Sequence, residues 1–134
     1  MNKIKLLCLA LVVGLSFGCA CPLARYNKAT ASGPVLRHVV MFAFTANTTP
    51  DQLKEIEANF RALPTKIPGI VGFEWGTNIS PENKNQGLTH CFFLTFRSLA
   101  DRDAYLPHPA HKAFGASLKG HVEKVCVLDY WAQP

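Results

Sequence analysis

Downstream of residue 36 the chain alternates short apolar runs with amphipathic stretches. RHVVMFAFT, residues 37–45, is rich in β-branched and aromatic residues and predicts a strand. Both of its alternating sets are apolar, with Val40, Phe42 and Phe44 on one side and Val39, Met41 and Ala43 on the other. A strand apolar on both faces has to be covered on both. Thr49-Pro50-Asp51-Gln52 reads as a helix start. Threonine caps, proline suits the first turn, and Gln52 stands where a capping box needs it. Leu53, Ile56, Phe60 and Leu63 follow at helical spacing, and Pro64 ends the run. GIVGFEWGTNIS, residues 69–80, predicts a second strand with Val71, Phe73 and Trp75 on one face. After the polar loop SPENKNQG comes THCFFLTF, residues 89–96, a third strand apolar on both faces. Ser98 caps a helical region from Leu99 to about Leu106, which Pro107 and Pro109 interrupt. A further helix carries Ala110, Phe114 and Leu118, and VEKVCVLDYW, residues 122–131, predicts the last strand.

The order β-α-β-β-α-β is the split βαβ arrangement, an α+β ferredoxin-like fold. Its helices cover one sheet face only. The other face is predicted to be apolar too, through Val39, Met41, Phe73, Cys91 and Phe93 or the residues opposite them in the alternation. A second copy of the same sheet is the economical cover, because two-fold homodimers are the commonest oligomers. A homodimer is therefore expected.

The first residues follow another pattern. MNKIKLLCLALVVGLSFGCAC has a basic start, an apolar run from Leu6 to about Val13, then small residues and cysteines, which is the layout of a secretory signal. The run is too short for a membrane span of roughly 20 residues. LSFGC, ending at Cys19, resembles a bacterial lipoprotein cleavage box, and Cys21 ends a weaker second one. Lipidation at Cys19 is the favoured reading; ordinary cleavage and an uncleaved anchor are the others. The expectation is a signal peptide of lipoprotein type over residues 1–18, a linker over 19–35 and one folded domain over 36–132. The protein is then exported and touches a membrane only through a lipid anchor, or is otherwise periplasmic or secreted.

The chain has 134 residues, enough for one domain. Fourteen Lys and Arg against nine Asp and Glu give +5, and setting aside Lys3 and Lys5 leaves twelve against nine. That excess is small and scattered, so no nucleic-acid partner is expected. Only Cys91 and Cys126 belong to the domain. An exported protein can pair them, but both sit in apolar strand-like runs, which favours buried free thiols. There is no phosphate-binding glycine loop, no Gly-x-Ser-x-Gly elbow and no Cys-x-x-Cys pair, and no cofactor is expected.

Candidate chemistry concentrates in YLPHPAHKAF, residues 105–114. His108 and His111 are three apart and can share a helix face. Zinc, however, wants three or four protein ligands, and no metal site is expected. His108 fits the turn geometry ahead of Pro109, which suits a first helical position.

RHVVMFAF, GTNISPENKNQGLTHCFFLTF, YLPHPAHKAF and VLDY together resemble the stress-responsive dimeric α/β barrel family, over about residues 36–131. The specific features are His38 after a basic residue, Gly87-Leu88-Thr89-His90 at a strand entry, and His-Pro-Ala-His at 108–111. The resemblance implies two ferredoxin-like subunits whose sheets join as a barrel; it does not imply one activity. One plant member folds a linear polyketide by aldol condensation. Its catalytic tyrosine and histidine fall by motif on Tyr105 and His111, and two further pocket histidines fall on His38 and His90. Pro107 departs from that member, which has an aliphatic residue there, and the leader is foreign to it. Such chemistry needs a base beside a carbonyl, which a histidine supplies, and an oxyanion donor, which a tyrosine hydroxyl supplies.

His38 and Phe42 share one strand face, and His90 and Phe92 share another. If both faces look toward the helices, these four residues line an apolar pocket for a small apolar or aromatic ligand. Structural roles stay open beside the functional ones: a backbone hydrogen bond for His111, a packed ring for Tyr105. The expectation is an exported homodimer of this family with a small ligand pocket. The alternative is a cyclase-like enzyme performing aldol-type or proton-transfer chemistry on a polyketide-like substrate.

Overall fold

The computed structural model describes residues 33–133. The expected signal peptide, the candidate lipidation site at Cys19 and nearly all of the expected linker lie outside the described residues.

The predicted order is present: β1 (Leu36–Phe44), α1 (Pro50–Arg61), α2 (Leu63–Lys66), β2 (Gly72–Thr77), β3 (His90–Phe96), α3 (Leu99–Tyr105), α4 (Pro109–Ser117) and β4 (Val122–Trp131). The strands form one antiparallel sheet in the order β2-β3-β1-β4, an α+β ferredoxin-like fold. The two central strands are the two most apolar ones. In their register His38 lies opposite Leu94, Val40 opposite Phe92, and Phe42 opposite His90. Residues opposite each other share a face, so this set points one way, toward the helices.

Local chemistry sets the helix limits. The Thr49 hydroxyl accepts from the Gln52 N–H, and the Gln52 side chain accepts from the Thr49 N–H, a complete capping box. Pro64 does not end helical structure but sits in the first turn of α2, where its missing N–H costs nothing. Ser98 caps α3 by accepting from the Asp101 N–H.

The core lies between the sheet and the helices. Phe60 of α1 stacks on Phe92 with ring centroids 4.2 Å apart, and Phe114 of α4 reaches the same ring of Phe60 at 4.6 Å. Phe92, Leu94 and Phe96 are completely buried. Phe73, expected among the residues of the open face, lies on the helix side 5.7 Å from Phe60. The alternation expected from Val71 through Trp75 holds, but β2 begins at Gly72 and leaves Val71 exposed. The face turned away from the helices carries Val39, Met41, Cys91, Phe93, Cys126 and Leu128 in register. Cys91 and Cys126 flank Met41 on adjacent strands and are unpaired. Both are half-buried, not fully buried as expected, because no element of the described chain covers that face.

Candidate functional site

The site starts at the joint between α3 and α4. His108 is the N-cap of α4, its Nδ1 accepting from the Ala110 N–H at 3.2 Å, with Pro109 at the first helical position. This cap sets His111 one turn further along α4. The His111 Nδ1 lies 2.9 Å from the Leu106 carbonyl oxygen. A carbonyl only accepts, so Nδ1 carries the proton and Nε2 is left as the acceptor. Tyr105, the last residue of α3, is 1% exposed. Its ring centroid lies 4.1 Å from that of His111 and 5.5 Å from that of His38. Burial, with the Asp129 carboxylate adding to it, pushes the phenol well above its ordinary value of 10.0. Tyr105 therefore stays a neutral hydroxyl, able to donate, throughout the physiological range.

His38 stands on β1 directly opposite Asp129 on β4. Its Nδ1 lies 2.5 Å from Asp129 Oδ1, while the second carboxylate oxygen, Oδ2, is bonded by Arg102 Nη1 of α3. An ionised carboxylate only accepts, so His38 donates through Nδ1 and keeps Nε2 as its remaining acceptor. Two histidines are thus held in the same tautomer by unrelated partners, one from β4 and one from the α3–α4 joint. Between them lies a cavity of about 250 Å³ lined by His38, Tyr105 and His111. The rest of its wall is apolar, from Val40, Phe42, Phe60, Phe114, Leu118, Val125 and Val127 among others. A small apolar chamber with a few convergent polar groups is the ordinary build of a small-molecule site. Chemically it pairs acceptors suited to taking a proton with a buried hydroxyl suited to an oxyanion.

Four of the six pocket residues expected from the sequence meet here: His38, Phe42, Tyr105 and His111. His90 and Phe92 do not line this cavity, although their strand face does point toward the helices. The space over Phe92 is filled by the stacked rings of Phe60 and of Trp75, the latter at 5.7 Å. His90 is held by Glu57 at 3.3 Å, by the Thr89 hydroxyl at 2.8 Å and by the edge-on ring of Phe44 at 4.9 Å. It borders a different cavity, of about 530 Å³, which also touches Met41, Cys91, Cys126 and the β2–β3 loop. Asp129 and Arg102 were not foreseen from the sequence. The signal for Asp129 was legible: it is the lone acid on the Val125–Val127–Asp129 alternation of an otherwise apolar segment. Arg102 carried no comparable signal, since a basic residue on a short helix is ordinarily solvated.

A model of the stress responsive A/B barrel domain matches residues 36–132. The stress-response A/B barrel domain-containing protein HS1 of Arabidopsis thaliana is 37% identical over 100 residues, which is 75% of this chain and 91% of HS1. Olivetolic acid cyclase of Cannabis sativa is 30% identical over 95 residues, 71% of this chain and 94% of the cyclase. Among solved structures, a hydroxynitrile lyase from Passiflora edulis superposes with a TM-score of 0.70 at 28% identity, covering 74% of this chain and 94% of the lyase. A dimeric ferredoxin-like protein of unknown function from Jannaschia superposes with a TM-score of 0.63 at 29% identity, covering 72% and 97%. With the fold, the strand-entry motif and the His-Pro-Ala-His cap all in place over residues 36–132, the chain belongs to the stress-responsive A/B barrel domain family.

Proposed function

We propose that the helix-side cavity binds a small apolar or aromatic carbonyl compound and that His111 moves a proton beside its carbonyl. Tyr105 donates to the developing oxyanion, and His38 supplies a second oriented ring. The observation that carries this reading is the convergence of two tautomer-fixed histidines on a buried tyrosine inside an otherwise apolar cavity. Kinship with a protein named as a cyclase and one named as a lyase supports chemistry over passive storage. The functional unit under this reading is a homodimer closed over the open sheet face, supported by the dimeric Jannaschia relative. We infer from the leader sequence that the domain is exported and held on a lipid at Cys19; Cys19→Ser should then release it from the membrane fraction.

The test is proton exchange. A hydrophobic β-diketone is incubated with the protein in heavy water, and deuterium entry between its carbonyls is followed by NMR. The expected rate falls by about 10²- to 10⁴-fold in His111→Ala, while the diketone still binds. Equal exchange rates in the two proteins would sink the enzymatic reading, and retained binding would then favour the second one, a ligand-binding module.

A further inference from the structure

We infer that Arg102, which lies outside the cavity, is a positioning residue for His38, acting through Asp129. The inference rests on the reading of the cavity as a site for proton chemistry, but its geometry stands alone. Asp129 offers two oxygens. Oδ1 takes the His38 Nδ1–H at 2.5 Å, and Oδ2 is taken by Arg102 Nη1. The same guanidinium gives its Nε–H to Asp103 Oδ1 at 2.8 Å. One planar fork thus bridges a carboxylate on its own helix and one on β4, which a lysine ammonium serves less well. His38 is screened from solvent at 6% side-chain exposure, while Arg102 and Asp129 stand at the surface edge, 19% and 28% exposed.

Two consequences follow. With Oδ2 occupied, the carboxylate cannot rotate freely, so Oδ1 stays aimed at Nδ1 and the imidazole keeps one tautomer and one tilt. The guanidinium also offsets the carboxylate charge, so the imidazole faces an acceptor and not an isolated negative charge. With Nδ1 donating to Asp129, Nε2 is the remaining acceptor position of a ring that lines the cavity. Arg102 lies one turn before Tyr105 on α3, so a single short helix both brings Tyr105 to the cavity wall and holds the carboxylate that orients the His38 ring.

The experiment reads the ring directly and needs no substrate. The full chain is labelled with ¹⁵N at the histidine rings, and long-range proton–nitrogen correlations are recorded for wild type, Arg102→Gln and Arg102→Lys. The wild type is expected to show His38 as a single Nδ1–H tautomer with a downfield, slowly exchanging proton. Arg102→Gln loses that proton resonance and draws the two ring nitrogens toward a common averaged shift; Arg102→Lys, which keeps the charge, retains the pattern in part. His111, fixed by the Leu106 carbonyl, stays the same in every variant. Where Arg102→Gln does not fold, Arg102→Leu replaces it. An unchanged His38 pattern in a folded Gln or Leu variant overturns the proposal and leaves Arg102 as a tie between α3 and β4. Because the resonance is read without turnover, a protein that shows the relay but no proton exchange fails the functional reading and not this one.

Discussion

Tyr105, 1% exposed, is more deeply buried than either buried histidine, His38 or His90. Its phenol is raised by burial first and by the Asp129 carboxylate second. The sign of the consequence is fixed by linkage. Below about pH 10 both folded and unfolded chains hold the proton, and stability is unaffected. Above it the unfolded chain ionises while the folded one does not, so stability falls as pH rises, by up to about 1.4 kcal/mol per pH unit from this one group. Urea midpoints measured between pH 8 and pH 11 should show that decline, and Tyr105→Phe should flatten it. A decline equally steep in the variant would mean that the hydroxyl is solvated. At this scale the sequence was informative where a motif fixes neighbours along the chain. Tyr105, His108 and His111 are joined by one cap and one turn, and their roles could be ordered before any coordinates. Asp129 meets His38 across 91 positions and Arg102 meets Asp129 across 27, and only the strand register and the placement of α3 bring them together.

Elements were legible where their signals are local. Thr49 and Gln52 announce α1, and the reciprocal bonds are present. Thr49→Ala should cost about 1 kcal/mol, read as a small loss in melting temperature with no change in the cavity. The opposite face of α1 carries the larger load. Phe60 is 1% exposed and touches Phe42, Phe73, Phe92 and Phe114. Phe60→Ala should cost about 3–5 kcal/mol, a separation from the cap variant that calorimetry can resolve. Phe60 also explains why Phe92 left the pocket. Alternation told which residues face the helices, but not which part of that face a helix ring would fill. The cavity survives on the far side of Phe60, which forms part of its wall, where β1 meets β4 and Val125 and Val127 stand more than half exposed.

At the scale of the whole molecule the open sheet face decides the assembly. Both faces of β1 and β3 are apolar, and the helices account for one. Val39, Met41 and Phe93 are half-buried on the other, while Leu128 and Tyr130 beside them are 54% and 45% exposed. Contiguous apolar surface of this kind on a small domain marks an interface, and a two-fold pairing presents the same patch from both subunits. Leu128 is the best probe, because its exposure means that it contributes little to the folding of one subunit. Leu128→Asp puts two like charges into a symmetric interface, at a cost of several kcal/mol for the pair. Light scattering at micromolar concentration should give twice the chain mass for the unmodified domain and the single chain mass for the variant. Far-ultraviolet circular dichroism should be the same for both, since the sheet and its helix-side core are untouched. Proton exchange in the cavity then tells whether each subunit works alone. His38, Tyr105, His111, Asp129 and Arg102 all come from one chain, so the monomeric variant should retain exchange if the open face serves assembly only, and its loss would place part of the catalytic architecture in the partner.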